Sequence, residues 1–192
     1  MPPKTRFRKE EIVDAAFAIA REKGFEEISA RNVAKRLGSS VAPIYVNFAN
    51  IEELTKAVVQ KVLMISSEIL ARQKGSDIFT NIGRASLEFA REYPVLLREL
   101  TLKPNPYVQS YESMEKGMIE AMGNSEEMKN WNLEERKELF FKMRAFQTGM
   151  VAMVANGQIP SWMDEKKLED ILMEVGEDLQ RIQQKKREEQ EG

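Results

Sequence analysis

Apolar residues return every three or four positions along almost the whole chain, and nothing alternates with a period of two for long, so the pattern predicts an all-α protein. Ile12, Val13, Ala16, Phe17, Ile19 and Ala20 mark the inner face of a first helix that stops at Gly24, read as an αL cap with Phe25 behind it. Ser29 is placed to cap a second helix, with Ile28 and Val33 at the spacing of a hydrophobic staple, and Gly38 ends that helix at Leu37. A third short helix follows the turn Gly38-Ser39-Ser40, with a serine as its cap, Pro43 in its first turn, and Ile44 and Phe48 facing inward. Asn50 caps a fourth, and Glu53 completes a capping box. The stripe Leu54, Val58, Val62, Ile65 and Ile69 carries this helix to about Lys74, on the order of 36 Å.

Beyond Gly75, breaks at Tyr93-Pro94, Lys103 to Pro106, Gly123 to Ser125 and Asn156 to Ser161 delimit about five further helices. In the last two, Leu139, Met143, Phe146, Met150 and Met153, and then Leu168, Leu172, Val175, Leu179 and Ile182, step by four and three as heptad seams. Asp164 caps the final helix. Pairing of these seams with a second copy predicts a symmetric four-helix bundle through Phe146, Met150, Leu168, Leu172, Val175, Leu179 and Ile182. The long fourth helix is the continuous element that joins the two halves of the chain.

Two short helices joined by a Gly-containing turn, the second opening in small residues, describe a helix-turn-helix. The small residues then have a reason: Ser39, Ser40, Val41, Ala42 and Pro43 let the backbone approach base edges while Ile44 and Phe48 anchor the helix. Tyr45 and Ser29 carry hydroxyls that can reach phosphates. Charge points the same way. The net charge is −2, yet residues 1–50 hold nine Lys and Arg against six Asp and Glu. This excess fits either a nucleic-acid contact or an ordinary charged surface.

The segment "IVDAAFAIAREKGFEEISARNVAKRLGSSVAPIYVNFANIEEL" resembles the DNA-binding domain of the TetR family of transcriptional regulators. The likeness lies in the Ala-rich first helix, the Gly-aromatic pair, the Ser cap, the Gly turn and the Tyr-x-x-Phe ending, over about residues 8–54. It implies a helix-turn-helix domain over 1–54 and a helical ligand-binding and dimerisation domain over 55–192. It further implies a homodimer on a pseudo-palindromic double-stranded operator, most commonly a repressor released by a small molecule. Asn47 stands where the family commonly has His, and can still donate to a phosphate. Ile51 stands where it commonly has a phosphate-contacting Lys. Lys4, Arg6, Arg8 and Lys9 form either a compensating basic arm or a solvated terminus.

The absence of Cys and His removes thiolate and imidazole chemistry, and the many carboxylates read as solvated helix faces, so no enzyme, metal site or cofactor is expected. No apolar run is long enough to span a membrane and no leader pattern opens the chain, which reads as cytoplasmic. The C-terminal half is rich in Met and aromatic residues. Phe89, Tyr93, Tyr111, Met114, Met118, Met143 and Met150 either pack a core or line a pocket for a small, largely apolar ligand. The rival to a ligand-responsive regulator is a dimeric interaction module or ligand carrier that has lost DNA binding.

Overall fold

A computed structural model describes residues 7–75, 78–104, 106, 109–126 and 128–191, without the side chains of 109–111, 114 and 190–191. Among them are nine α-helices and no strand: α1 (Lys9–Lys23), α2 (Ala30–Leu37), α3 (Ala42–Asn47), α4 (Ile51–Arg72), α5 (Ile78–Glu92), α6 (Pro94–Thr101), α7 (Gln109–Met122), α8 (Leu133–Ala155) and α9 (Glu165–Glu191), with one 3₁₀ turn at Phe25–Glu27. Arg6, Tyr111 and Met114, named above as site residues, lie outside the described residues or side chains, as does Lys4.

Local chemistry sets most of the boundaries. The Ser29 hydroxyl accepts from the Asn32 N–H at 3.2 Å, with Ile28 and Val33 both buried beside it. Gly38 takes the left-handed conformation that ends α2. Asp164 Oδ1 accepts from the Lys167 N–H at 2.8 Å and opens α9. Three expectations change in detail. Gly24 adopts φ 100°, ψ 168°, a positive-φ extended conformation and not αL. The helix α3 has no serine cap: Val41 is its N-cap, in helical conformation, and the Ser39 hydroxyl donates instead to the Ser40 carbonyl at 2.9 Å. Pro43, with no N–H, leaves that first turn one fewer donor to satisfy. At α4, Asn50 Oδ1 accepts from Glu53 N–H at 2.8 Å, while the Glu53 carboxylate accepts from Ala49 N–H and not from Asn50.

One continuous apolar core runs from Ile12, Val33, Ile44 and Phe48 through Leu54, Val58 and Ile69 to Leu87, Leu96, Val151, Leu168 and Leu172. A smaller one gathers Ile119, Met122, Met128, Trp131 and Leu139 under the α7–α8 connection. The helix α5 lies against α8 and α9, α1 against α4, and α6 against both α1 and α8. At the α5–α9 crossing Gly83 has no room for a side chain, since a Cβ there would lie 2.8 Å from Met173 Cε and 2.9 Å from Leu172 Cδ2. Gly83→Val is expected to cost about 1 to 3 kcal/mol by overpacking. Gly117→Ala, where a Cβ meets open space, should stabilise by about 0.5 to 1 kcal/mol. Urea unfolding of the two variants checks the contrast.

The heptad seams point elsewhere than expected. Met150, Leu168 and Leu172 are buried in the protomer's own core, Phe146 packs against it, and Leu179 packs against the smaller cluster. Val175 lines an internal cavity, so of the seven residues assigned to a dimer seam only Ile182, 53% exposed, is a large apolar group presented to solvent. The seam periodicity is real, but α5 and α6 cover it. Among the described residues, the exposed row along α8 is Phe141, Ala145, Gly149 and Met153.

Candidate functional site

The helix-turn-helix face is assembled from α2, the Gly38 turn and α3. Ile44 and Phe48 are buried beneath it, which turns the opposite side of α3 outward: Ser40, Val41, Ala42, Tyr45 and Val46 are exposed, and Pro43 and Asn47 are half-buried. Val46, missed in the reading of the sequence, is 80% exposed. The Asn47 amide is engaged within the protein, donating to the Pro43 carbonyl at 2.8 Å and toward the Phe7 carbonyl at 3.5 Å. It ties the start of α1 to α3 and has no hydrogen left for a phosphate.

Several cations of this region are already matched. Arg36 holds Glu22 through a two-pronged hydrogen bond of 2.7 and 3.0 Å, which keeps the Glu22 carboxyl below its usual range and raises the guanidinium. Arg8 pairs with Glu11, Lys9 with Glu53 and Lys56 with Glu52, and the last pair holds the Glu52 carboxyl below its usual range. Lys9 also lies 4.7 Å over the Phe48 ring. Arg31 and Lys35, both exposed on α2, have no ion pair among the described residues. Their i, i+4 spacing, on the side away from Val33 and Ala34, was the legible sign of a shared outer face.

The second feature is a cavity of about 790 Å³ between α4, α5, α8 and α9. Of the pocket residues read from the sequence, Phe89, Met118 and Met143 line it, while Tyr93 and Met150 do not. Met150 is core. Tyr93, the N-cap of α6, is held between the Phe89 and Phe17 rings at 5.2 and 6.2 Å, with the Arg21 guanidinium 5.1 Å from its own ring. The polar members were missed: Gln147 Nε2 donates to the Ser86 hydroxyl, which donates to the Ile82 carbonyl at 2.8 Å. Arg144 and Glu115 pair at the cavity's edge. A polar residue inside an apolar row, as in Met143, Gln147 and Val151, was the available signal.

The cavity and the helix-turn-helix are joined twice. The helix α4 runs for 22 residues, about 33 Å, as expected. The helix α6 makes a second connection that the sequence did not suggest. Leu97 and Leu100 line the cavity, Arg98 donates to the Ala155 carbonyl at the end of α8 at 2.6 Å, and Glu99 accepts from the Phe25 N–H at 3.2 Å. The same Glu99 carboxylate, nearly buried, pairs with Lys103 and holds its ammonium above the usual range. It also fills the space where a Gly24 side chain would go.

Among the described residues there is no cluster of three or more potential metal-ligating side chains, and no helix is long and apolar enough to cross a membrane. No curated protein matches the chain. Among solved structures it is similar to a TetR-like transcriptional regulator from Rhodococcus sp. RHA1, with a TM-score of 0.65 at 20% identity over 92% of this chain and 96% of that one. At 92% coverage the likeness takes in C-terminal helices as well as the N-terminal head. Residues 12–58, which run from α1 through the helix-turn-helix into α4, match the family model of bacterial regulatory proteins, tetR family. By that match the N-terminal helix-turn-helix segment is a domain of the tetR family model, carried on an all-helical fold like that of the Rhodococcus regulator.

Proposed function

We propose that the protein is a cytoplasmic repressor released from its operator by a small, largely apolar molecule. The observation that carries this is the position of α6: one side lines the cavity through Leu97 and Leu100, and the neighbouring Glu99 seats the turn between α1 and α2. A ligand pressing on α6 therefore acts on the reading head without passing through α4. Phe89 adds a parallel contact, because its ring faces the cavity and stacks on Tyr93, which touches α1. The lining is largely apolar, with the Arg144–Glu115 pair and the Glu177 carboxylate also on it, which favours a largely apolar ligand with a polar group for the Gln147 side-chain carbonyl.

In this reading residues 1–54 contact DNA and residues 55–192 bind the ligand and the second protomer. Ser29 and Tyr45, with Arg31 and Lys35, contact phosphates, and Ser40, Val41 and Ala42 face the bases. The exposed row of α8, together with Ile182, supplies the dimer face. Two recognition helices related by a two-fold axis read a pseudo-palindrome, with half-sites one helical turn or a multiple apart.

Tyr45→Phe and Ser29→Ala are expected to weaken binding to all sequences alike and to leave the preferred site unchanged. The regulatory part is tested by titrating a panel of neutral aromatic and aliphatic molecules against the protein, with and without operator. A coupling of about 1 to 3 kcal/mol makes the two affinities differ roughly 5- to 150-fold, and linkage makes operator weaken ligand binding by the same factor. A molecule that occupies the cavity with equal affinity in both cases is no inducer, and the repressor-release reading then fails.

A further inference from the structure

We propose that α3 reads its operator through the C5 methyl groups of thymine, so that the half-site is defined by where its A·T pairs set those methyls in the major groove. The inference rests on the DNA-binding reading above and specifies what the recognition helix recognises.

The major groove offers two kinds of information, hydrogen-bonding edges and the thymine methyl. Bidentate contacts to guanine or adenine edges come from Arg, Lys, Asn or Gln. The helix Ala42–Asn47 has no charged residue, and its single amide, Asn47, is occupied by the Pro43 and Phe7 carbonyls. The Ser39 hydroxyl is likewise turned onto the Ser40 carbonyl. Apart from Tyr45, what α3 presents is aliphatic. Val46 is 80% exposed and Val41 42%, and Ala42 is exposed beside them. Ala42 with Val46 and Val41 with Tyr45 are i, i+4 pairs, which set two adjacent rows on one face. An outward apolar face on a helix otherwise so well anchored has a natural counterpart in the one apolar group of the groove. Four residues of helix rise about 6 Å, so these contacts fall within two or three neighbouring base pairs.

The test selects duplexes with the full-length protein from a randomised pool, then replaces each thymine of the enriched site by deoxyuridine, which keeps pairing and removes only the methyl. Affinity is expected to fall about fourfold per contacted methyl at one or two neighbouring positions in each half-site, and to be unchanged at the others. At those positions 5-methylcytosine opposite guanine should bind better than cytosine opposite guanine. Val46→Ala should shrink the deoxyuridine penalty at its position while leaving affinity for non-specific duplex as it was. Deoxyuridine throughout the site with unchanged affinity overturns the proposal, as does a penalty that persists undiminished in both Val46→Ala and Val41→Ala. Binding with no sequence enriched overturns it while leaving DNA binding intact. No binding to any duplex overturns both readings.

Discussion

Phe141→Glu is expected to convert the proposed dimer into folded monomers and to lower operator affinity by at least about 100-fold, the order of avidity that two linked binding modules share. Phe141 is 71% exposed and lies in the same α8 row as Ala145, Gly149 and Met153. A Cβ on Gly149 would meet nothing within 4 Å in the protomer, so this row offers a second chain a shallow, close approach. A carboxylate buried in such a contact would lose its water without gaining a partner. Because the substitution is on the protomer surface, its own stability should change by no more than about 0.5 kcal/mol. Leu172→Glu makes the contrast. Leu172 is 8% exposed and packs at the Gly83 crossing, so a charge there should unfold the protomer. Light scattering and circular dichroism on both variants separate the two outcomes. A Phe141→Glu protein that keeps the dimer mass at micromolar concentration would show that the partner sits on another face.

Gly24→Ala is expected to destabilise by more than an ordinary turn substitution, because two costs combine. The positive-φ extended backbone costs a residue with a side chain about 1 to 3 kcal/mol. The added methyl also arrives 2.9 Å from the Glu99 Cδ, and that carboxylate is held by the Phe25 N–H and Lys103. Glu99→Ala removes the second cost and leaves the first. In a double-mutant cycle read by urea unfolding, the pair should show an interaction of about 0.5 to 3 kcal/mol. Strict additivity would mean that Glu99 gives way freely and does not seat the turn. The same Gly24→Ala protein should bind operator more weakly even well below its melting temperature, since the turn sets how α1 meets α2.

Features decided within one helical turn were legible in the sequence. Ser29, Asn50 and Asp164 cap helices because their side chains satisfy N–H groups three residues away, and Gly38 ends α2 because its φ is available to glycine. The outward face of α3 was legible for the same reason, since burial of Ile44 and Phe48 determines which residues of α3 face out. Periodicity shows which residues share a face, but not what covers it. Leu168 and Leu172 have the spacing of a coiled-coil seam, and so do residues packed against helices of their own chain. Phe141, the more exposed residue, belongs to no heptad pattern. Glu99 was invisible because its partner, the Phe25 N–H, lies 74 residues away and is offered by backbone, which leaves no mark in side-chain composition. Ser86 and Gln147 were missed as ordinary helix polar residues, though each interrupts an apolar row.

The two attachments of the reading head also turn the length of α4 into a phase. Inserting one residue into a helix rotates everything beyond it by about 100° and moves it about 1.5 Å. With α4 as the single tether such a rotation would be absorbed by swinging the head. With Glu99 also seated on the Gly24 turn, the head cannot swing without leaving that seat. Insertions between Val59 and Leu70 are therefore out of gear with the rest of the molecule, because the rotation they impose has no free end to absorb it.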